Sequence, residues 1–200
     1  ETSGFHPWTR EEVTQFEARH QIGTKARLAL ALMLYLGVRR GDLVTLGRQH
    51  VRDGVIRFVP LKTRRKKMHA IEIPIVAELA AIIEASPTGD LTFLTTEWGK
   101  PFTANGFGGW FRDRCDEAGL PHCSAHGLRK AGATIAAERG ATDRQLMAMF
   151  GWESSRQATT YTASADRKRL AAEAARLIAG DRKANIDCPT ELPHRIKAKG

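Results

Sequence analysis

The sequence predicts an α+β domain that is mainly α-helical, with a small three-stranded antiparallel sheet inserted near the N-terminal third. Its 200 residues, of which 42% are hydrophobic, suffice for one buried core. The run Leu28–Leu36 holds strong helix formers and no β-branched residue, so it predicts a helix buried on most sides. The segment Val51–Val59, by contrast, surrounds Asp53-Gly54, a dipeptide that favours the positive φ angles of a tight hairpin.

The first part of the chain carries recognisable element boundaries. Thr9 stands three residues before Glu12, which is the spacing of a capping box, so a helix is expected to begin there. Gly37 ends the buried helix, and Arg39–Leu43 predicts a further short helical turn. Ala70–Pro74 alternates apolar and polar residues and predicts the third strand.

After the sheet the chain returns to helical patterns. Helices are predicted at about residues 75–86, 103–118, 125–139, 142–150 and 164–179. We expect one domain over residues 1–180. The tail over 181–200 combines prolines with mixed charge and no periodicity, which indicates an extended or partner-dependent segment.

Composition limits the partners and the compartment. Thirty-one Lys and Arg against 22 Asp and Glu give a net charge of +9, which favours a polyanionic partner. The longest strongly apolar run, Leu28–Leu36, is less than half as long as a membrane span, which needs about 20 residues, so we expect no membrane association. Three cysteines without CxxC spacing favour reduced thiols over disulfides or a zinc site. With no secretory leader, a cytoplasmic protein is expected.

Two groups of cations stand out. The loop Lys62–Lys67 places five cations in six positions, either as a solvated turn that guards a sheet edge or as a basic finger along phosphates. Arg39 and Arg40 follow a buried helix and a glycine. They either bind the carbonyl groups at a helix end or direct a guanidinium at a phosphate, with Asp42 as a supporting acid.

Further along, His126 and Arg129 are three residues apart on one predicted helix face, while Leu128 is expected to point toward the core. An imidazole beside a guanidinium suits acid–base chemistry on a phosphate, although two such residues on a basic protein also occur without function. Tyr161 lies in a polar stretch and is a candidate nucleophile or an ordinary packing residue. Its use as a nucleophile requires cationic neighbours and a base.

Other reaction chemistries find no support in the sequence. It contains no HExxH, Walker, GxGxxG or GxSxG motif, and no acidic cluster typical of a two-metal nuclease. Phosphoryl transfer by this chain would therefore depend on Arg, Lys and His side chains, and we expect no metal and no cofactor.

Taken in order, these motifs resemble the catalytic domain of the tyrosine recombinases, the phage integrase family. Residues 36–43 are similar to that family's first arginine box, and Lys62-Thr63 to its hairpin lysine segment ahead of Ile73-Pro74. His126-Gly127-Leu128-Arg129 matches the His-x-Leu-Arg box. Phe150-Gly151-Trp152 stands where Leu-Gly-His is usual, nine residues before Tyr161. The resemblance covers about residues 8–165.

The resemblance implies a role for each matching residue. The catalytic set is Arg39, Lys62, His126, Arg129, Trp152 and the nucleophile Tyr161, with Asp42 in support. The DNA-binding set is Arg40, Arg64, Arg65, Lys66, Lys67 and Lys130. Trp152 replaces the usual second histidine and Lys130 replaces a frequent histidine. The hairpin is long, so Lys66 or Lys67 remains an alternative to Lys62. We expect the family's N-terminal DNA-clamping domain to be absent from this chain.

Three functions are compatible with these residues. The first is metal-free site-specific recombination or integration of double-stranded DNA through a 3′-phosphotyrosyl link. For this function we expect a homotetramer on DNA and a monomer when the catalytic piece is isolated. The second is nicking and closing of DNA, as in type IB topoisomerases. The third is a non-catalytic DNA-binding or regulatory domain. Formation of a covalent adduct with DNA separates the first two from the third.

Overall fold

The structure, a computed structural model, describes residues 4–62 and 70–179. The helices in chain order are α1 (Arg10–Arg19), α2 (Lys25–Leu36), α3 (Arg40–Leu43), α4 (Ala77–Ala85), α5 (Ala104–Glu117), α6 (Ala125–Glu138), α7 (Asp143–Phe150) and α8 (Ser155–Ala179). The strands are β1 (Val51–Arg52), β2 (Val55–Phe58) and β3 (Ile71–Pro74), and a short 3-10 turn precedes β1. This arrangement confirms the mainly helical α+β fold with an inserted sheet.

Local sequence signals explain the first helices. The Thr9 hydroxyl accepts from the Glu12 amide and the Glu12 carboxylate accepts from the Thr9 amide, so the predicted capping box is present. In α2 eight of the 12 residues are buried, and the helix packs against α4 and α6. The predicted buried helix is thus confirmed. Apolar contacts on several sides stabilise it, in addition to the high helix propensity of its residues.

The sheet is antiparallel in the order β1-β2-β3. Asp53 and Gly54 both have positive φ, at 51° and 72°, which confirms the predicted hairpin turn. In β2 and β3 one face is buried against the helices, and the other carries an exposed ion pair between Arg57 and Glu72. Most of the basic loop between β2 and β3, residues 63–69, lies outside the described residues.

Helix α8 begins nine residues earlier than the sequence predicts. The predicted helix start at residue 164 is wrong, because α8 begins at Ser155 and contains Tyr161. The first residues of α8, from Ser155 on, are mostly polar and show no clear apolar periodicity. Contacts with other elements therefore determine that they are helical. Ala158 and Thr162 are buried one turn apart, and the Thr162 hydroxyl donates to the Asp143 carboxylate at the start of α7.

The chain divides into two compact units, Glu1–Asp166 and Arg167–Gly200. The sequence places its boundary after residue 180, and that boundary stays a prediction. The first unit holds one main hydrophobic core and a smaller cluster, in which α7 and the beginning of α8 pack on α6. Within the described residues, no helix is both long enough and apolar enough to cross a bilayer.

Candidate active site

A cavity of about 330 Å³ collects side chains from distant parts of the chain. Its lining consists of Arg39, Lys62, His126, Arg129, Lys130, Trp152, Gln157, Thr160 and Tyr161. The structure therefore brings the six predicted catalytic residues around one space. The described lining contains no carboxylate and no thiol, so its formal charge comes from arginine and lysine. Such a site attracts a small anion or an anionic group of a larger ligand.

A tight turn positions Arg39. Gly37 ends α2 with a φ of 57°, and a Cβ atom there would lie 2.6 Å from the Phe150 ring. Only glycine combines this backbone conformation with so close an approach. The half-buried Arg39 follows two residues later, immediately before α3, and lines the cavity.

Asp42 fixes the loop that carries Lys62. Its side chain is only 4% exposed, and its Oδ1 accepts a 2.7 Å hydrogen bond from the Leu61 amide. The exposed Lys62 is the next residue. The Asp42 charge also favours the protonated form of Arg129, so this carboxylate supports the cavity both by a backbone contact and by electrostatics.

Arg129 is partly buried and is held by contacts within the domain. Its guanidinium donates a 2.6 Å hydrogen bond to the Phe150 carbonyl and lies 5.0 Å from the Phe150 ring centre and 5.9 Å from that of Trp152. Burial, followed by repulsion from Arg39, lowers the pKa of Arg129 to about 10. The side chain therefore stays charged at neutral pH and directs a poorly hydrated cation at the cavity.

His126 lies one helical turn before Arg129 on α6, as the sequence predicts, and Leu128 is fully buried between them. Partial burial, and then the charges of Lys130, Arg129 and other arginines, lowers the pKa of His126 below its ordinary value of 6.5. The imidazole is therefore neutral at pH 7. Its ring packs against Phe5, with 4.6 Å between ring centres.

Tyr161 ends an aromatic stack along the cavity. Trp152 lies nearly parallel to Tyr161, with ring centres 5.4 Å apart, and it also stacks with Phe150 at 4.9 Å. Tyr161 is half-buried, and this burial raises the pKa of its phenol above the ordinary value of 10, an effect that the Arg129 charge only partly offsets. The stack holds the phenol ring in place, and the phenol keeps its proton at neutral pH, so its use as a nucleophile requires a base.

The predicted DNA-binding residues differ in placement. Arg40 is exposed, donates to the Asn105 side chain and lines a second cavity of about 460 Å³, which shares Arg39, His126 and Arg129 with the first. Lys130 lines the first cavity and donates a 2.8 Å hydrogen bond to the Phe5 carbonyl. The loop residues Arg64, Arg65, Lys66 and Lys67 lie outside the described residues. The preference for Lys62 over Lys66 or Lys67 as the catalytic lysine therefore stays a prediction.

The chain is similar in sequence to a known protein family and to two phage proteins. The family model described as phage integrase family matches residues 9–168. The chain belongs to the phage integrase family. It is 30% identical over 171 residues to an integrase of Mycobacterium phage L5, covering 74% of this chain and 46% of that integrase. It is 27% identical over 157 residues to an integrase of Mycobacterium phage FRAT1, covering 68% and 47%. The chain thus spans about half the length of these two relatives.

Solved structures of low sequence identity share the fold of this integrase-family chain. XerA recombinase superposes with a TM-score of 0.69 at 18% identity, covering 84% of this chain and 64% of that one. The Tn1549 transposon integrase in complex with transposon right-end DNA gives 0.68 at 18% identity, with coverages of 86% and 68%. A lambda integrase dimer bound to a core site gives 0.63 at 19% identity, with coverages of 78% and 59%.

Several residues that shape the cavity belong to none of the motifs in the sequence. Gln157 and Thr160 line the cavity one turn and one residue before Tyr161, and Phe150 completes the stack. The signal for Gln157 is the four-residue spacing from Tyr161, which is informative only if α8 starts before residue 157. Phe5 carries no local signal at all, because its contact with His126 joins positions that are distant in the sequence.

The Asp42 contact leads to a stability prediction. Asp42→Ala leaves the Leu61 amide without its partner and is expected to lower the free energy of unfolding by about 1.5–3 kcal/mol, the range for hydrogen bonds to charged groups. Asp42→Asn keeps an oxygen acceptor and is expected to lose less than half of that. Urea denaturation of both variants measures the difference, and equal losses would contradict the hydrogen bond as the cause.

Proposed function

We propose that this chain is the catalytic domain of a site-specific DNA recombinase that cleaves and rejoins strands through a phosphotyrosyl link. One observation carries the proposal. A tyrosine, two arginines, two lysines and a histidine with a lowered pKa surround a single cavity that has no acidic group in its described lining. This is the complement of groups that a phosphodiester exchange without a metal ion requires.

Charge and relatives support DNA as the ligand. Arg39, Lys62, Arg129 and Lys130 surround the cavity, and the whole chain carries a net charge of +9. Each phosphate of DNA that such cations neutralise contributes to binding by releasing counterions. Among structures with this fold, lambda integrase and the Tn1549 integrase are bound to DNA. We extend the same partner, double-stranded DNA, to this chain.

In the proposed reaction the Tyr161 Oη attacks the scissile phosphorus. The new bond joins that oxygen to phosphorus, and the bond from phosphorus to the 5′ oxygen of the next nucleotide breaks. Neutral His126 accepts the phenolic proton, and Lys62 donates a proton to the leaving 5′ oxygen. The products are a 3′-phosphotyrosyl enzyme and a free 5′-hydroxyl.

Attack adds negative charge to the two non-bridging oxygens of the phosphate. Arg39 and Arg129 stabilise this charge, and the Trp152 indole N–H donates a further hydrogen bond. Partial burial of Arg129 strengthens its electrostatic interaction with the transition state. Trp152 only donates and does not accept a proton, so His126 is the proton carrier.

The covalent link preserves the energy of the broken ester bond. A 5′-hydroxyl from a partner duplex reverses the first step and joins the strands without ATP, and strand exchange results. Since exchange needs two duplexes with two cleavage sites each, we propose a homotetramer on DNA. Arg40 and the loop cations Arg64, Arg65, Lys66 and Lys67 are proposed to contact the flanking phosphates, together with Lys130.

Cleavage by this site should depend on pH through His126. Only the neutral ring accepts a proton, and the pKa of His126 is lowered from its ordinary value of 6.5, so the rate of adduct formation should be level above neutral pH and fall as the pH drops through that pKa. Single-turnover rates between about pH 5 and 8 measure this. His126→Gln should be slower and lack the decrease on the acid side. An unchanged decrease in that variant would assign it to another group.

The test of the proposed function is adduct formation by the unmodified chain. A nick placed just beyond the cleavage point lets the short 5′ fragment diffuse away, so the covalent complex accumulates. A pool of nicked duplexes with randomised sequence around the nick avoids assuming a target site. A denaturation-resistant protein–DNA band is the expected result. Salt-dependent binding of the pool without any adduct would contradict the proposal and favour a non-catalytic DNA-binding domain.

A further inference from the structure

A second cluster of reactive side chains lies outside the cavity. His6, Glu12, His122 and Cys123 each present one donor atom, and these four atoms all lie within 4.8 Å of one another. They come from the segment before α1, from α1 itself and from the loop before α6. The proposed strand exchange uses none of them.

We propose that these four residues form a structural site for a zinc ion. Imidazole nitrogen, thiolate sulfur and carboxylate oxygen are the ligands that zinc accepts in proteins, and four of them complete its tetrahedral coordination. Magnesium and calcium prefer sites made only of oxygen ligands, so this mixed set selects against them. Four protein ligands also leave no open position, which indicates a structural ion rather than a catalytic one.

The spacing of the donors is close to what coordination requires. Bonds of about 2.0–2.3 Å in a tetrahedron place ligand atoms about 3.3–3.8 Å apart, so the widest separation must close by no more than about 1.5 Å. Glu12 already contacts both imidazoles: Nε2 of His6 lies 2.8 Å from one carboxylate oxygen, and Nε2 of His122 lies 2.6 Å from the other. In these hydrogen bonds Nε2–H donates, so zinc binding requires each ring in its Nδ1–H form and widens the two separations by about 0.5–0.7 Å. The Thr9 amide donates to the same carboxylate and orients it, as residues next to metal ligands commonly do.

The cluster is partly enclosed. Cys123 is 1% exposed and the Glu12 side chain is 15% exposed, whereas the side chains of His6 and His122 are 38% and 52% exposed. Burial, together with the charge and hydrogen bond of Glu12, raises the pKa of the Cys123 thiol to about 12. The thiol is therefore protonated without metal, and coordination replaces its proton with zinc and releases it to solvent. An ion of charge +2 would also compensate the charges of the Glu12 carboxylate and the Cys123 thiolate.

The site would join the N-terminal segment to the start of α6. Cys123 lies just before the α6 cap, three residues ahead of His126. The same segment already contacts this region: the Trp8 indole donates to the Ser124 carbonyl, and a Cβ atom on Gly127 would lie 1.9 Å from the His6 carbonyl oxygen. Zinc at this place would hold the segment against the helix that carries His126 and Arg129.

Cobalt substitution of the full chain tests the site. Co²⁺ bound by a thiolate in a tetrahedral site gives a charge-transfer band in the ultraviolet and strong visible bands, and zinc displaces it. We expect one equivalent to give these bands in a Cys188→Ser background, in which the tail thiol cannot contribute. Cys123→Ser should lose the charge-transfer band, whereas Cys115→Ser, at the other buried thiol, should keep it.

Two measurements keep the test decisive if Cys123→Ser does not fold. His6→Asn alters a partly exposed ligand and should weaken zinc affinity at least ten-fold, with unchanged circular dichroism. Zinc at about 100 times its dissociation constant should also raise the melting temperature of the unsubstituted chain by several degrees. Absence of the thiolate band in the wild-type chain, or retention of full affinity in His6→Asn, would overturn the proposal and leave only a hydrogen-bonded cluster.

Discussion

Tyr161→Phe is expected to abolish the covalent protein–DNA adduct completely, because the substitution removes the attacking oxygen and nothing else. The phenyl ring keeps the stack with Trp152, so the variant should melt at the wild-type temperature and bind DNA with wild-type affinity. Adduct formation on nicked duplexes and a binding assay at fixed salt, run side by side, measure the two properties.

Tyr35 provides the matched control, since the chain contains two tyrosines. Tyr35 is half-buried in α2 and packs against the main core, outside the cavity lining. Tyr35→Phe therefore loses a hydroxyl of the same kind and should still form the adduct. An adduct that persists in Tyr161→Phe would refute Tyr161 as the nucleophile and with it the proposed mechanism.

Arg39→Ala is expected to slow adduct formation by about 10²–10³-fold, the effect of removing one donor that stabilises a developing negative charge. Arg39 is the more informative of the two arginines. Arg129 also binds the Phe150 carbonyl and packs on two rings, so its loss would combine a catalytic effect with damage to the fold. Single-turnover rates at saturating DNA separate catalysis from binding for the Arg39 variant.

Arg48→Ala is the control for a general loss of positive charge. Arg48 is exposed, forms a 3.0 Å ion pair with Glu84 and is not part of the cavity lining. The Arg48→Ala variant should keep the wild-type cleavage rate, since exposed ion pairs contribute little to stability. A wild-type rate in Arg39→Ala, or an equal decrease in both variants, would contradict a specific contact between Arg39 and the scissile phosphate.

Most of the fold was accessible from local sequence signals. The capping box at Thr9 and Glu12 and the turn at Asp53-Gly54 involve residues within one turn of each other, so their spacing alone predicts their geometry. The beginning of α8 was not accessible in this way. Its polar residues become helical because Ala158 and Thr162 are buried against α6 and α7, which is a tertiary effect.

For the candidate site, sequence motifs identified which residues to examine but not their environment. The pair His126 and Arg129 follows from the three-residue spacing of a helix face. The low pKa of Arg129, its contact with the Phe150 carbonyl and the bond from the Leu61 amide to Asp42 depend on burial and on packing between separate elements. None of these properties leaves a periodic trace in the sequence.

The sequence by itself therefore determined the class of fold, the helices with clear caps, the hairpin and the set of polar residues that matches the family. Only the tertiary structure decided that six of them share one cavity and that His6, Glu12, His122 and Cys123 meet in a second cluster. The reason is physical. Hydrogen bonds within a turn couple residues three or four positions apart, whereas contacts across more than 100 residues arise only when the core packs.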